Sequence, residues 1–105
     1  FGGAACLSTH WPGIFTVTKN PVPAAFLNYL ADNLPDPKNH KLYFDFGTET
    51  LDAWYEPYQL KADSIIISKG FNKENFLSKK FDGDPHDEKA WNRRFHVPLT
   101  FLLSD

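Results

Sequence analysis

Short apolar runs alternate along the sequence with longer segments of helical periodicity, and this alternation constrains the fold more than any other feature. The clearest run is "KLYFDFG", residues 41–47, an aromatic segment that ends at a glycine. The runs at 1–8 and 75–83 are also bounded by turn residues. Strands that alternate with helices favour a parallel sheet covered by helices. We therefore predict an α/β fold with about three parallel strands.

Helical periodicity marks the segments between these runs. Residues 21–35 have apolar side chains three and four positions apart, and prolines near both ends. Residues 52–70 favour a helix that ends at Gly70, although the three isoleucines at 65–67 favour a strand by propensity. Residues 87–103 predict a helix that Pro98 kinks or divides. The expected apolar faces of the first and last helices are Ala25, Phe26, Tyr29, Leu30 and Leu34, and Trp91, Phe95, Leu99 and Leu102.

Composition limits the size of the chain and its partners. The 105 residues suit one small domain, 1–105, and 42% of them are apolar, as in globular proteins. The formal net charge is −2 and Lys and Arg form no dominant run, so we expect no nucleic-acid partner. No apolar run approaches the roughly 18 residues of a membrane span. Cys6 is the single cysteine, so no internal disulfide can form and the compartment is not indicated.

The start of the sequence is unusual. The chain contains no methionine and opens on "FGGAACLS", a small-residue and apolar run that is typical of a buried strand. Chain termini normally lie at the surface and are polar. We therefore expect a piece of a longer protein, or an oligomer in which a second copy covers an exposed sheet edge.

Polar loops follow each predicted strand. They are "STHWPG", "GTETLD" and "GDPHDE", and functional residues in open α/β sheets gather in loops at the carboxyl ends of strands. The last loop offers His86 as a general base, and the second offers Asp52 or Glu49 as the carboxylate that would orient it. No cofactor is needed for such a pair.

Two other interpretations of the last loop stay open. Its carboxylates could form a solvated turn at the start of a helix, or a metal-binding turn at 82–88, although the spacing is not that of an EF-hand and zinc would need more His or Cys. These carboxylates are Asp82, Asp84, Asp87 and Glu88. Of the remaining histidines, His10 is predicted to be packed or at the surface, with a pocket as the alternative, His40 to lie at the surface of a turn, and His96 to have a structural role.

Two segments also resemble a known family. "YFDFGTETLD", followed about thirty residues later by "FDGDPHDEKAWNRRF", is similar to the C-terminal half of an esterase family of α/β-hydrolases. The family includes esterase D-like, feruloyl-esterase-like and ferric-enterobactin esterases. "FGGAACLSTHW" resembles the strand after the nucleophile helix of these enzymes, so the resemblance covers essentially the whole chain. The residues that match the last catalytic loop of the family are Asp84, Pro85, His86, Asp87, Glu88, Ala90, Trp91 and Arg94.

The resemblance implies the C-terminal portion of an α/β-hydrolase fold and a serine-type carboxylic-ester hydrolase. His86 would be the catalytic base. Many relatives have the catalytic acid at the position that is Thr50 here, so the acid would be Asp52, two positions later, or alternatively Glu49, one position earlier. The family's G-x-S-x-G nucleophile elbow is absent. A small-molecule ester would be the substrate of the intact enzyme, and this chain would lack the nucleophile. The alternative function is a non-catalytic binding or interaction domain.

Overall fold

The computed structural model describes residues 2–11 and 21–104. Within them, three parallel strands form one sheet with β2 in the centre. The strands are β1 (Gly3–Cys6), β2 (Lys41–Gly47) and β3 (Phe76–Phe81). Gly3 pairs with Lys41, and Leu42 pairs with Phe76. The predicted three-stranded parallel sheet is therefore confirmed.

Four α-helices accompany the sheet in the described part of the chain. They are α1 (Val22–Asn33), α2 (Glu56–Ser68), α3 (Glu88–Arg94) and α4 (His96–Leu103). Two short 3₁₀ helices, Pro37–Asn39 and Thr50–Trp54, lie in the connections. Among the described residues no helix has the length and hydrophobicity that crossing a membrane requires.

The side chains of β2 alternate between the two faces of the sheet, as a strand requires. Phe44 and Phe46 pack towards α1 and α2, where Leu27, Ala62 and Ile66 complete the core. Tyr43 and Asp45 face the other side, where the Tyr43 ring lies 6.4 Å from that of Phe101 in α4. Helices thus cover both faces, which is the arrangement that a buried parallel sheet needs.

The buried face of α1 differs from the predicted one. Pro23 and Leu27 are buried, whereas Phe26 and Tyr29 are 50% and 68% exposed. Leu30 packs against the core as expected. Apolar residues occupy more than one side of this helix, so spacing alone does not identify the side that meets the sheet.

The last helical segment is divided in two, as predicted, but not at the proline. α3 ends at Arg94 and α4 begins at His96. Pro98 lies in the first turn of α4, where its missing N–H would have no intrahelical partner. The predicted common apolar face is wrong, because Phe95 and Leu99 are 53% and 44% exposed.

Two further expectations have clear outcomes. The isoleucines at 65–67 are helical and lie in α2. This helix ends at Ser68, and Gly70, two residues later, has a φ of +103°. The expected burial of the first strand is wrong, because Gly3 and Ala4 are exposed. β1 is an outer strand of the sheet, so one of its edges has no neighbouring strand within the described residues. The breaker pair at 12–13 lies outside those residues.

Candidate functional site

The three predicted loops meet at one edge of the sheet. β1, β2 and β3 are parallel, so their carboxyl ends at Cys6, Gly47 and Phe81 lie on the same side. Backbone hydrogen bonds join the second and third loops directly: Thr48 N–H and Glu49 N–H both donate to the Asp84 carbonyl, at 3.0 and 3.1 Å. These bonds hold the loops that follow β2 and β3 side by side.

Asp52 and His86, 34 positions apart, are in direct contact. His86 Nδ1 lies 2.8 Å from Asp52 Oδ1, and the Asp52 side chain is fully buried whereas that of His86 is 22% exposed. A carboxylate can only accept, so Nδ1 carries the proton in this bond. In the neutral ring, Nε2 is then the nitrogen that can accept a proton. This is the geometry of a base and the carboxylate that orients it.

Glu49 does not take the place of Asp52. Its side chain is exposed at the start of the 3₁₀ helix, whereas Asp52 lies in the first turn of that helix and points inward. Thr50 contributes in another way: its hydroxyl oxygen accepts from the His86 backbone N–H at 2.7 Å. Thr50 has a φ of +53°, a region that β-branched residues rarely adopt. The loop therefore positions both the backbone and the ring of His86.

The His86 ring is also fixed by two aromatic neighbours. The rings of Tyr55 and Trp91 lie 5.9 and 5.1 Å from it, both in edge-to-face orientation. Tyr55 shares a hydrogen bond of 3.0 Å with His10 Nδ1. Burial, and then the nearby charge of Asp52, raises the pKa of Tyr55 to about 12. Its phenol is therefore neutral at ordinary pH.

A buried polar cluster supports Asp52. Ser8, which is 2% exposed, donates to Asp52 Oδ2 at 2.6 Å. Trp91 Nε1 and Arg94 Nη2 both donate to the Ser8 hydroxyl oxygen at 2.7 Å. Gly47 N–H donates to the same Asp52 oxygen. The carboxylate is thus held by hydrogen bonds from all three loop regions.

Arg94 joins this cluster to two other carboxylates. It donates to Asp45 through Nε and Nη2, at 3.2 and 2.9 Å, and to Asp84 through Nη1 at 3.0 Å. Asp45 also accepts from the Tyr43 hydroxyl at 2.7 Å. Burial lowers the pKa of Arg94, but the hydrogen bonds and charges of Asp45 and Asp84 raise it by more, so the guanidinium stays charged.

The acidic residues of the last loop have structural roles. Asp87 caps α3 by accepting from Ala90 N–H at 2.9 Å, and Asp84 pairs with Arg93 and Arg94. Asp82 is exposed. In residues 2–11 and 21–104 no three side chains of His, Cys, Asp or Glu come together in a way that could hold a metal ion. Nothing in this geometry favours the metal-binding turn.

A shallow depression opens beside His86. Its volume is about 490 Å³ and its walls are His86, Asp87, Glu88, Lys89 and Trp91. A larger depression, about 1110 Å³, lies at the opposite end of the sheet near Gly3, Lys41 and Asn75. That end holds the amino ends of the strands and is distant from the acid–base pair. The depression at His86 is therefore the better candidate for substrate.

Sequence reasoning did not identify Ser8, Asp45 and Arg94 as parts of one cluster. A signal for Asp45 exists, since a carboxylate between two phenylalanines in a buried strand needs a buried partner. No such signal marks Ser8, because its role depends on residues more than 80 positions away. His40 lies in a turn, as predicted, and its Nδ1 is 2.8 Å from the Asp36 carbonyl oxygen. His96, for which a structural role was predicted, is exposed.

Comparisons with known proteins supply no further assignment. No family model, no curated protein and no solved structure matches the chain. The sheet and helices define an α/β protein, and the site defines a buried carboxylate paired with a partly exposed histidine.

Proposed function

We propose that this chain supplies the acid and the base of a serine-type carboxylic-ester hydrolase. His86 is the base and Asp52 orients it. The observation that carries the proposal is the 2.8 Å contact between His86 Nδ1 and the buried Asp52 carboxylate at the carboxyl edge of a parallel sheet. The resemblance of the loops to the esterase family supports the same class.

The chemistry follows from the arrangement of the pair. His86 Nε2 would take the proton of a serine hydroxyl as that oxygen attacks the ester carbonyl, and would then return the proton to the leaving alcohol. Asp52 would stabilise the imidazolium that forms between these two steps and keep the ring in one tautomer. A small-molecule ester would be bound in the depression beside His86.

We propose further that the nucleophile lies outside these residues. The sequence has five serines: Ser8, Ser64, Ser68, Ser78 and Ser104. The Ser8 proton is donated to Asp52, and Ser64 and Ser68 bond to carbonyls of α2. Ser78 lies within β3, where its backbone pairs with that of Phe44 in β2, and Ser104 contacts Lys41 at the opposite end of the sheet. Catalysis by this chain alone is therefore not expected.

The test uses p-nitrophenyl acetate and a fluorophosphonate label on the polypeptide encoded by the complete reading frame that contains these residues. Turnover and labelling are expected there but not with the 105-residue chain. His86→Gln and Asp52→Asn should each lower kcat by about 10³- to 10⁴-fold. Glu49→Gln is the matched control and should stay within about twofold, because its side chain is exposed.

Two results would contradict the proposal. Near-normal turnover in both His86→Gln and Asp52→Asn would remove these residues from the chemistry. Turnover by the 105-residue chain that disappears in His86→Ala would place a nucleophile inside it. A G-x-S-x-G motif encoded before Phe1 is the expected source of the serine.

An interaction domain is the second candidate function, and one observation favours it. The outer edge of β1 has no neighbouring strand in the described part of the chain. Unpaired backbone N–H and C=O groups at such an edge can pair with another strand. Self-association in solution is the property that this function predicts.

A further inference from the structure

Ser8 has an unusual backbone conformation directly after β1. Its φ is +47°, a left-handed value that costs a non-glycine residue on the order of 1 kcal/mol. Its backbone N–H donates to Asp45 Oδ1 at 2.8 Å, which holds the turn in this conformation. The turn places the side chain of Ser8 in the buried cluster around Asp52, where it is only 2% exposed.

The direction of every hydrogen bond at the Ser8 hydroxyl follows from its partners. The indole N–H of Trp91 and the guanidinium N–H of Arg94 can only donate, so they occupy both acceptor positions of the oxygen. The single hydroxyl proton must then be donated to Asp52 Oδ2, at 2.6 Å. A hydroxyl in this state has no lone pair for attack on a substrate.

The same bonds determine the orientation of the Asp52 carboxylate. Oδ2 accepts from Ser8 and from Gly47 N–H, whereas Oδ1 accepts from His86 Nδ1. Without the Ser8 hydroxyl, Gly47 N–H would be the donor that Oδ2 keeps. Arg94 Nη2, which lies 3.9 Å from Oδ2, would lose Ser8 as an acceptor. The carboxylate would then be free to turn towards the guanidinium and away from His86.

We propose that Ser8 is a positioning residue: its hydroxyl, held by Trp91 and Arg94, keeps the Asp52 carboxylate in the orientation that retains the His86 proton on Nδ1. The assignment concerns the acid–base pair itself, and only its effect on turnover rests on the proposed function. Ser8 acts through Asp52, because its buried hydroxyl has no lone pair left for a substrate.

The test is nuclear magnetic resonance of the chain labelled with ¹⁵N-histidine, which reports the tautomer of each ring and the exchange of its nitrogen-bound proton. In the wild type, His86 is expected to carry its proton on Nδ1, in slow exchange with water. Ser8→Ala should speed this exchange about tenfold, which corresponds to one hydrogen bond to a charged group, and should populate the Nε2–H tautomer.

Matched variants separate positioning from general damage. Thr9→Val removes a hydroxyl from the same turn, one that donates to the Cys6 carbonyl and to no side chain of the Asp52 cluster, and should leave the His86 signals unchanged. Trp91→Phe keeps an aromatic ring beside His86 but removes one donor to Ser8, and should shift the signals in the same direction as Ser8→Ala. If Ser8→Ala does not fold, Ser8→Gly takes its place, because it also removes the hydroxyl and adopts the φ of +47° without strain.

Unchanged tautomer and exchange in the folded Ser8→Ala and Trp91→Phe variants would overturn the proposal. The same shifts with Thr9→Val would overturn it too, because a nonspecific change in the turn would then explain them. In the polypeptide that hydrolyses esters, Ser8→Ala should lower kcat about tenfold with KM unchanged. Should no polypeptide hydrolyse esters while the resonance shifts occur, the positioning role would stand and the proposed function would fall.

Discussion

Arg94 is the cation that neutralises the buried carboxylates of the site. Its side chain is 3% exposed and donates hydrogen bonds to two carboxylates and one hydroxyl, and its guanidinium carbon lies 4.9 Å from the centre of the Phe81 ring. A planar guanidinium can make several such contacts at once, whereas an ammonium cannot. Asp45 and Asp52, both fully buried, rely on it for a neighbouring positive charge.

We therefore expect Arg94→Met to lower the free energy of unfolding by about 3–5 kcal/mol, because it leaves buried carboxylates unpaired. Arg93→Met is the matched control: Arg93 also pairs with Asp84, but its side chain is 59% exposed, so the loss should stay below about 1 kcal/mol. Urea unfolding at neutral pH measures both. Equal losses in the two variants would contradict the role assigned to Arg94.

The raised pKa of Tyr55 implies that the free energy of unfolding falls at alkaline pH. Burial, with a smaller contribution from Asp52, raises its pKa to about 12, against about 10 for an exposed tyrosine. The folded state therefore holds this proton more tightly than the unfolded state. The resulting stability is fully present below pH 10 and is lost as the pH rises from about 10 to 12.

Urea unfolding of the wild type and of Tyr55→Phe at several pH values checks this. Between pH 10 and 12 the wild type should lose up to about 1.4 kcal/mol per pH unit more than the variant, which has no phenolic proton. Groups that titrate in both proteins, Tyr43 among them, cancel in the comparison. Parallel pH profiles for the two proteins would show that Tyr55 does not contribute.

The sequence is informative about single residues only where chemistry and position coincide. His86 and Asp52 could be paired in advance, because each follows a predicted strand and the two complement each other chemically. Ser8 could not be assigned, because its partners are Trp91 and Arg94, and a shared hydrogen-bond network leaves no periodic pattern in the sequence. Long-range polar contacts require the three-dimensional arrangement.

At the scale of elements, the junction between the second and third loops depends on Gly47. A Cβ atom at this position would lie 1.9 Å from the Asp84 carbonyl oxygen. That carbonyl accepts from Thr48 and Glu49, so it cannot move away without breaking both bonds. The close approach also brings the His86 loop against the Asp52 loop.

We expect Gly47→Ala to destabilise the protein strongly, by several kcal/mol, since overpacking alone typically costs about 1–3 kcal/mol and two hydrogen bonds are disturbed as well. Gly83→Ala is the control. Gly83 has a φ of +87° but open space around its Cβ position, so the cost should be about 1–2 kcal/mol. Thermal unfolding followed by circular dichroism compares them, and a milder effect at Gly47 than at Gly83 would contradict the close approach.

Elements were easier to predict than the faces they bury. The bounds of β2 and the division of the last helix agree with the sequence patterns, because strand alternation and turn residues act locally. The exposed positions of Phe26 in α1 and of Phe95 in α4 were not predicted. A helix with apolar residues on several sides can meet the sheet in more than one way, and packing partners distant in sequence decide which.

At the scale of the whole molecule, the two outer edges of the sheet differ. β3 carries Lys79 and Lys80, and charged residues oppose pairing with another strand. β1, with the sequence GAAC, has neither charge nor proline nor a large side chain. The Gly2 carbonyl bonds to Lys41 N–H, so by alternation the backbone groups of Ala5 point towards the edge that has no neighbouring strand among residues 2–11 and 21–104.

We predict that the chain forms a homo-oligomer through the β1 edge. Sedimentation over a range of concentrations should show self-association, and Ala5→Pro should abolish it while the fold is retained, because only an outward N–H is removed. Ala4→Pro is the contrasting variant. The backbone N–H of Ala4 faces β2, so its removal should destabilise the sheet. A monomer at all concentrations would refute the prediction.

The bonds from Trp91 and Arg94 to Ser8 span 83 and 86 positions, nearly the full length of the chain. Contacts of such high sequence separation close large loops, and the entropic cost of that closure must be met before the contacts contribute. The site therefore cannot be complete in any partly folded form that has lost either end. The indole proton of Trp91 should accordingly exchange with deuterium only when the whole molecule opens, which makes it a natural reporter of global unfolding.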